Sequence, residues 1–259
     1  MTQWALVHYS DIWRNMELIN IDGVEIPFDN SWDSIAIALS GGADSALLAY
    51  LLCKIITERN LDIHVNCISH IRMWKSRPWQ QNDSLRVYQY LLEKFDIRIT
   101  RHTNFIAPDI EYGNIGPTIK DEYGKSVSGD NIQQRSFSEY ICYHNNVKCF
   151  YNAVTRNPPV YLEGAMHERD IVKNDNNKHM ELMTHMGVIA SHPLRFTDKS
   201  WVLKQYRKNN IMDLFEKTRS CEGEFEGLDY RTYKPDQYVP TCGKCFWCLE
   251  REWSIEQSK

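Results

Sequence analysis

The 259-residue chain has 42% hydrophobic and 25% charged residues, which is enough for one large domain with a sizeable core. Its net charge of −4 gives no positive field over the whole surface, so we expect neither bulk nucleic acid nor an anionic membrane as a partner. The first residues lack a basic start, and no apolar run is long enough to span a bilayer. We therefore expect a cytoplasmic protein, whose eight cysteines favour metal binding or catalysis over disulfides.

Apolar strands and helices alternate in the pattern of the chain. An Asp22-Gly23 turn predicts a hairpin within an N-terminal β extension, residues 1–33. Predicted strands lie at 34–39, 62–68 and 96–100, within 159–166 and within 186–194; predicted helices lie at 43–59, 83–95, 132–154 (open to a break at Asn145-Asn146) and 198–208. Residues 103–130 are rich in Gly, Pro, Asn and Asp and are predicted as loop. The alternation predicts an α/β fold with a doubly wound parallel sheet over residues 34–215.

The first predicted strand breaks at Ser40, Gly41 and Gly42, and Asp44 and Ser45 follow directly. Two glycines let the backbone turn tightly and approach a ligand, while the N–H groups of the turn and of the following helix form an anion site. The two serines add hydroxyl donors, and Asp44 beside a phosphate needs an intervening cation, which we assign to Mg²⁺. The alternative is a plain turn in which Asp44 caps the helix. The complete string after an apolar strand favours phosphate binding.

The C-terminal residues contain a cysteine cluster. Cys242, Cys245 and Cys248 form a C-x-x-C-x-x-C motif, and Cys221 lies upstream. Four thiolates are a closed tetrahedral set that Zn²⁺ prefers, so we predict a small zinc-binding region at 216–259 in which the metal is structural. An iron–sulfur cluster is the main alternative because thiolates suit both. Trp247, between two of the cysteines, is a candidate to cover a planar ring.

The motif at 40–45 resembles the PP-loop, S-G-G-x-D-S, of the N-type ATP pyrophosphatase superfamily. Its combination with the cysteine motif is similar to the 7-cyano-7-deazaguanine synthase family, over roughly residues 34–70 and 160–255. Further positions that match the family are Gly164, Asp170, Pro193, Leu194, Lys199, Thr218, Ser220 and Arg251. The chain departs from the family in a longer segment between Cys221 and Cys242. It departs again after Arg135, which stands near the family's Arg-Asn substrate motif without the Asn.

The resemblance implies an adenine nucleotide alpha hydrolase-like fold and a ligase that uses ATP, Mg²⁺ and Zn²⁺. The implied reaction converts 7-carboxy-7-deazaguanine and ammonia to 7-cyano-7-deazaguanine through an adenylated carboxylate and an adenylated amide. It implies Asp44 and Lys199 as catalytic residues, with Lys199 neutralising charge on the departing pyrophosphate. The 40–45 segment and Gly164 would bind ATP, and Arg135 and Asp170 would bind the substrate.

Other functions stay open on the sequence alone. The chain could be a PP-loop ligase that stops at the amide, or an RNA-modifying thiolase, which the acidic balance disfavours. A different class is a zinc-containing interaction or nucleic-acid-binding protein with an inactive loop, against which the intact loop weighs. The ammonia would arrive free or from a partner, and a homodimer is left open.

Overall fold

The strands and helices of the computed structural model lie within residues 15–72, 80–106, 119–120, 126–127, 129–164, 180–183, 187–222 and 240–259, which are the residues described. The strands are β1 (Glu17–Ile21), β2 (Val24–Phe28), β3 (Ser34–Ala38), β4 (His64–Arg72), β5 (Ile99–Ile106), β6 (Ile119–Lys120), β7 (Ser126–Val127), β8 (Cys149–Tyr151), β9 (Met180–Met183) and β10 (Val188–Ser191). The helices are α1 (Ala43–Glu58), α2 (Gln80–Lys94), α3 (Gly129–His144), α4 (Lys199–Lys208), α5 (Met212–Glu216) and α6 (Phe246–Gln257).

Six strands form the central sheet, in the order β5-β4-β3-β8-β10-β9. The first five of these run parallel, and β9 pairs antiparallel with β10 at the edge. Ile35 and Ile37 of β3 face one core and Ala36 faces another, which is why this strand reads as a continuous apolar run. The predicted parallel α/β sheet is therefore confirmed.

Helices cover both faces of the sheet. Buried residues of α1, α2, α4 and α5 pack with Ile35 and Ile37 in the larger core. On the other face, Ile141 and Cys142 of α3 pack with Ala36 in a smaller core. This is the doubly wound arrangement that the alternation of strands and helices predicts.

The N-terminal hairpin forms as predicted, with β1 and β2 paired antiparallel around Asp22 and Gly23. Both turn residues have positive φ, +47° and +84°, as a two-residue type I′ turn requires. Ile26 and Phe28 of β2 are fully buried in the larger core, so the hairpin packs directly against the sheet domain. The domain boundaries after residues 33 and 215 stay predictions.

Strand β8 lies where the sequence pattern predicts helix. Helix α3 ends at His144, and Asn146 then adopts a left-handed conformation with φ of +50°. The chain continues as the three-residue strand Cys149–Tyr151 between β3 and β10. The prediction of helix over 147–154 is wrong, because a short buried strand and a helix segment cannot be separated by apolar periodicity alone.

The strand predicted within 159–166 is also absent from the described part of that range, residues 159–164. Pro158 and Pro159 provide no backbone N–H for a sheet, and Tyr161 is 86% exposed. The short strand predicted within 186–194 is confirmed as β10. The third strand begins later than predicted, at Ile99, and most of the predicted loop 103–130 lies outside the described residues.

Within the described chain, no helix has the length and apolar character needed to cross a membrane.

Candidate nucleotide and metal site

The glycine loop, residues 40–45, follows β3 at the point where the strand order changes direction. From β3 the chain runs outward to β4 and β5, and it then returns on the other side of β3 as β8 and β10. In open α/β sheets the loops at such a switch point diverge and leave a crevice beyond the carboxyl ends of the strands. The glycine loop therefore lies at the position where this architecture binds ligands.

Serine side chains hold the glycine loop in shape. Ser45 Oγ donates to the Gly42 carbonyl at 3.1 Å and accepts from the Ser40 backbone N–H at 3.2 Å. Ser40 Oγ accepts from the Gly42 N–H at 3.3 Å, and the two hydroxyl oxygens lie 3.1 Å apart. The loop conformation is therefore stabilised by its own residues.

The two glycines have different roles. Gly41 has a φ of +81°, and a Cβ built on it would lie 2.6 Å from Ser84 N and 2.7 Å from Asp83 Cβ. Only glycine allows this close approach between the loop and the first turn of α2. Gly42 is the N-cap of the 16-residue helix α1 and has no side chain to cap it, and Asp44 lies inside the helix in its first turn. The N-terminal backbone N–H groups of such a helix attract anions.

A buried lysine joins the glycine loop to the C-terminal helix. Lys199 Nζ lies 3.4 Å from Asp44 Oδ2 and 3.0 Å from Glu250 Oε2. Lys199 is 2% exposed, and Glu250 on α6 is fully buried. Asp198 starts α4 and accepts from the Ser200 N–H, which fixes the position of the lysine at the first helical residue. The structure thus brings together Asp44 and Lys199, the two residues that the sequence resemblance implies as catalytic. Glu250 is a further partner of the lysine that the sequence pattern did not indicate.

Two cavities meet at the glycine loop. One, of about 210 Å³, lies toward the carboxyl ends of the strands and is lined by His70, Gln134 and Asn152 as well as by the loop. The other, of about 120 Å³, lies toward the cysteine cluster and is lined by the loop, Lys199, Cys221 and further polar residues. A ligand on the loop could therefore extend in either direction.

The four predicted cysteines come together at the start of α6. Their Sγ atoms all lie within 4.8 Å of one another. The Cys242 and Cys248 sulfurs are 3.9 Å apart, and those of Cys245 and Cys221 are 4.0 Å apart. A regular tetrahedron with Zn–S bonds of about 2.3 Å has sulfur–sulfur edges of about 3.8 Å. The cluster can therefore hold a single metal ion such as zinc.

The segment before Cys221 contacts the glycine loop and α6. The Arg219 backbone N–H donates to the Gly41 carbonyl at 2.9 Å. Arg251 of α6 donates to Thr218 Oγ1 and to the Phe215 carbonyl, both at 2.9 Å. Burial lowers the pKa of Arg251, whose guanidinium stacks 3.7 Å from the centre of the Phe215 ring. The cysteine region is thus fastened to the loop by backbone and side-chain contacts.

Among the described residues, the predicted site residues Arg135 and Gly164 do not line either cavity. Arg135 is exposed on α3 and pairs with Glu139 at 2.7 Å, whereas its neighbour Gln134 lines the larger cavity. Gly164 has a φ of +74° and packs beside Phe246 at the start of α6. Asp170 lies outside the described residues. The nucleotide- and substrate-binding roles of these three residues stay predictions.

Two polar residues of α2 that the sequence analysis did not single out line the smaller cavity. Asp83 is 1% exposed and Gln80 is 7% exposed. Burial raises the pKa of Asp83, and nearby Arg86, Arg219 and Arg251 act in the opposite direction. In the sequence Asp83 looks like an ordinary first residue of the predicted helix 83–95 and Gln80 precedes that helix, whereas in the structure the helix begins at Gln80 and both residues line the cavity.

The molecule is thus an α/β protein with a glycine loop at its switch point and a four-cysteine cluster beside it. No protein-family model matches the sequence, and no curated protein matches it. Solved structures that are similar include the U34-tRNA thiolase NcsA from Methanococcus maripaludis with its 4Fe-4S cluster, at a TM-score of 0.45 and 14% identity over 77% of this chain. The chain spans 62% of the length of that thiolase.

Two further solved structures are similar at lower scores. The phosphoadenylyl-sulfate reductase from Candida auris, in a phosphate complex, has a TM-score of 0.38 and 10% identity, over 76% of this chain and 83% of that chain. The NAD⁺ synthetase from Burkholderia pseudomallei has a TM-score of 0.37 and 15% identity, over 87% of this chain and 79% of that chain. Because all these TM-scores are below 0.5, the similarities assign no function to this chain.

Proposed function

We propose that the protein is an ATP-dependent, AMP-forming ligase that converts 7-carboxy-7-deazaguanine and ammonia to 7-cyano-7-deazaguanine. The observation that carries the proposal is the glycine loop at the switch point, with the uncapped N-terminus of α1 and the buried Lys199 beside it. These groups suit a polyphosphate. The choice of acceptor is supported by the sequence resemblance alone.

ATP would lay its β- and γ-phosphates on the backbone of the glycine loop. Asp44 and phosphate oxygens would hold Mg²⁺, which neutralises phosphate charge when it is bound and usually takes one or two carboxylates plus phosphates. Asp44 fits this role because it lines both cavities that meet at the loop. Lys199 lies in the same ion-pair chain and would stabilise the negative charge that develops on the leaving pyrophosphate.

The proposed chemistry uses two ATP molecules for each nitrile. A carboxylate oxygen of the acceptor attacks the α-phosphorus, and the bond to pyrophosphate breaks. Ammonia then attacks the acyl carbon, AMP leaves, and a proton is lost to give the amide. The amide oxygen attacks a second ATP in the same way, and loss of AMP and protons forms the C≡N bond. Adenylation is needed because a carboxylate or amide oxygen is a poor leaving group and AMP is a good one.

The cysteine cluster would have a structural role in this enzyme. Four thiolates close the coordination sphere of Zn²⁺ and leave no open position for a substrate, so Cys221, Cys242, Cys245 and Cys248 would fix the start of α6. The same helix places Glu250 against Lys199. The metal would therefore act on the reaction by holding the residue that positions the lysine.

A turnover assay with 7-carboxy-7-deazaguanine, ammonium, ATP and Mg²⁺ tests the proposal. We expect AMP and pyrophosphate, with two AMP for each nitrile identified by mass. One AMP for each amide, with no nitrile, would instead indicate a ligase that stops at the amide. No AMP with any 7-deazapurine carboxylic acid would overturn the proposed function.

A further inference from the structure

The smaller cavity, between the glycine loop and the cysteine cluster, is lined by Gln80 and Asp83, each of which has one buried side-chain oxygen without a donor among the described residues. Asp83 Oδ1 pairs with Arg86, but Asp83 Oδ2 has no hydrogen-bond partner among the described residues. In the same part of the chain, Gln80 Oε1 also has none. A buried oxygen without a donor is costly to the fold, so such atoms mark a place where a ligand or water supplies an N–H or O–H group.

The two acceptors form a pair. Gln80 and Asp83 stand three residues apart in the first turn of α2, and side chains at this spacing are neighbours on one helix face. The turn that carries them is held against the glycine loop, because Gly41 packs directly on Asp83 and Ser84. A ligand that satisfies both oxygens would therefore present two neighbouring donors within reach of the phosphate-binding loop.

The rest of the cavity lining carries charges of both signs. Lys199 and Arg219 are positive, Asp44 and Glu222 are negative, and Trp247 also lines the cavity. A ligand that matches all of these groups is flat, carries adjacent N–H donors at one edge and bears an anionic substituent elsewhere.

We propose that this cavity is the acceptor site, in which Asp83 Oδ2 and Gln80 Oε1 accept hydrogen bonds from the ring N–H and exocyclic amino group of a 2-amino-4-oxopyrimidine ring. The carboxylate of such an acceptor would face the positive side of the cavity, next to the glycine loop. This step rests on the proposed function, whereas recognition of the two N–H donors needs no turnover and can be measured separately.

Equilibrium binding measures this recognition without catalysis. The probes are 7-carboxy-7-deazaguanine and its analogue without the 2-amino group, each titrated into the full-length protein with a non-hydrolysable ATP analogue and Mg²⁺. A hydrogen bond to a charged partner predicts that wild type binds the amino compound about 10-fold or more tightly than the analogue. Equal binding of the two compounds, or binding of neither, would overturn the inference.

Asp83→Asn supplies the decisive variant. Arg86 is a donor and selects the oxygen of the new amide, so the amide NH₂ takes the place of Oδ2 and presents donors to the donors of the ring. We expect the preference for the amino compound to disappear, with binding of the ATP analogue unchanged. Asp96→Asn, at an exposed site just after α2, is the matched control and should keep the wild-type preference.

Gln80→Leu provides a second measurement if the aspartate variant is unstable. It removes the other acceptor at similar volume and should weaken the same preference, while Gln89→Leu on the exposed face of α2 should not. Wild-type preference in both Asp83→Asn and Gln80→Leu would refute the assignment of these acceptors. If the preference follows the prediction but the assay forms no AMP, the pocket survives and the proposed function fails.

Discussion

The glycine loop and the cysteine cluster are both candidate ligand sites, but the chain builds them in different ways. The loop is one continuous segment whose shape is stabilised by hydrogen bonds between Ser40, Gly42 and Ser45. The cluster joins Cys221 to the distant segment 242–248, and its sulfurs lie close enough to share one ion. A site of the first kind exists as soon as the strand and helix fold, whereas a site of the second kind depends on its metal.

The two regions nevertheless depend on each other. Lys199 lies between Asp44 of the loop and Glu250 of the cysteine-anchored helix α6. The backbone contact from Arg219 to Gly41 links them a second time. The loop thus keeps its shape through local contacts, while the cysteine region supplies Glu250, which pairs with Lys199.

Gly41→Ala should abolish ATP turnover. The new Cβ would lie 2.6 Å from Ser84 N at a φ of +81°, so the loop must move away from α2. The free energy of unfolding should also fall by about 1–3 kcal/mol from backbone strain. Gly187→Ala is the matched control, because its φ is +66° but no atom lies within 4 Å of the new Cβ. Retention of normal turnover by Gly41→Ala would refute the proposed loop geometry.

Cys245→Ser should remove the metal and lower stability together. Cys245 is both a predicted metal ligand and the N-cap of α6, so its loss should free the helix that carries Glu250. We expect loss of one zinc equivalent by elemental analysis, a lower melting temperature and turnover reduced by about 100-fold or more. The control is Cys53→Ser, because Cys53 is buried in the core and is not one of the four clustered cysteines. This variant should lower stability without changing the metal content. Normal metal content in Cys245→Ser would contradict the assignment.

Lys199→Met and Glu250→Gln should reduce kcat to different extents. Removal of a charge that stabilises a leaving group typically costs about 100- to 1000-fold, which we expect for the lysine variant. Glu250→Gln keeps the lysine but removes the anion 3.0 Å from it, so we expect a drop of about 10-fold, the equivalent of one weakened charged contact. The control is Glu252→Gln, because Glu252 is exposed on the same helix. Steady-state kinetics of both variants will show whether the drop in kcat is specific to Glu250. An unchanged kcat in Glu250→Gln would remove the proposed link between the cysteine region and the loop.

The smallest expected change is in the stability of Asp83→Asn, an increase of about 1 kcal/mol or less at pH 7. Burial raises the pKa of Asp83 in the folded state, so wild type loses stability as the pH rises from the ordinary value of 3.8 through the folded pKa. The asparagine variant lacks this loss, and the difference in melting temperature should shrink as the pH falls toward 4. A variant less stable than wild type at pH 7 would show that the Arg86 pair outweighs the burial penalty.

The part of the site that is local in sequence could be predicted from sequence. The strand, turn and helix around 40–45 are consecutive, and Asp198 gives a helix-start signal directly before Lys199. The cysteines could be assigned together because two-residue gaps between cysteines are typical of metal ligands. The structure confirms that all four approach one another.

The remaining features depend on contacts that no local pattern records. Strand β8 has three residues, too few to show a period, yet it lies at the centre of the sheet. Asp83 looks like a surface charge at the start of a predicted helix, and Glu250 lies in no predicted helix or strand, yet the fold buries both residues. Their burial follows from tertiary packing, which sequence periodicity does not determine.

A crystal structure of the protein with Mg²⁺ and a non-hydrolysable ATP analogue tests the central claim most directly. The account predicts that the β- and γ-phosphates lie on the backbone N–H groups of residues 40–45, at the N-terminus of α1 and near Lys199. A triphosphate bound elsewhere, or an empty loop at saturating nucleotide, would contradict it.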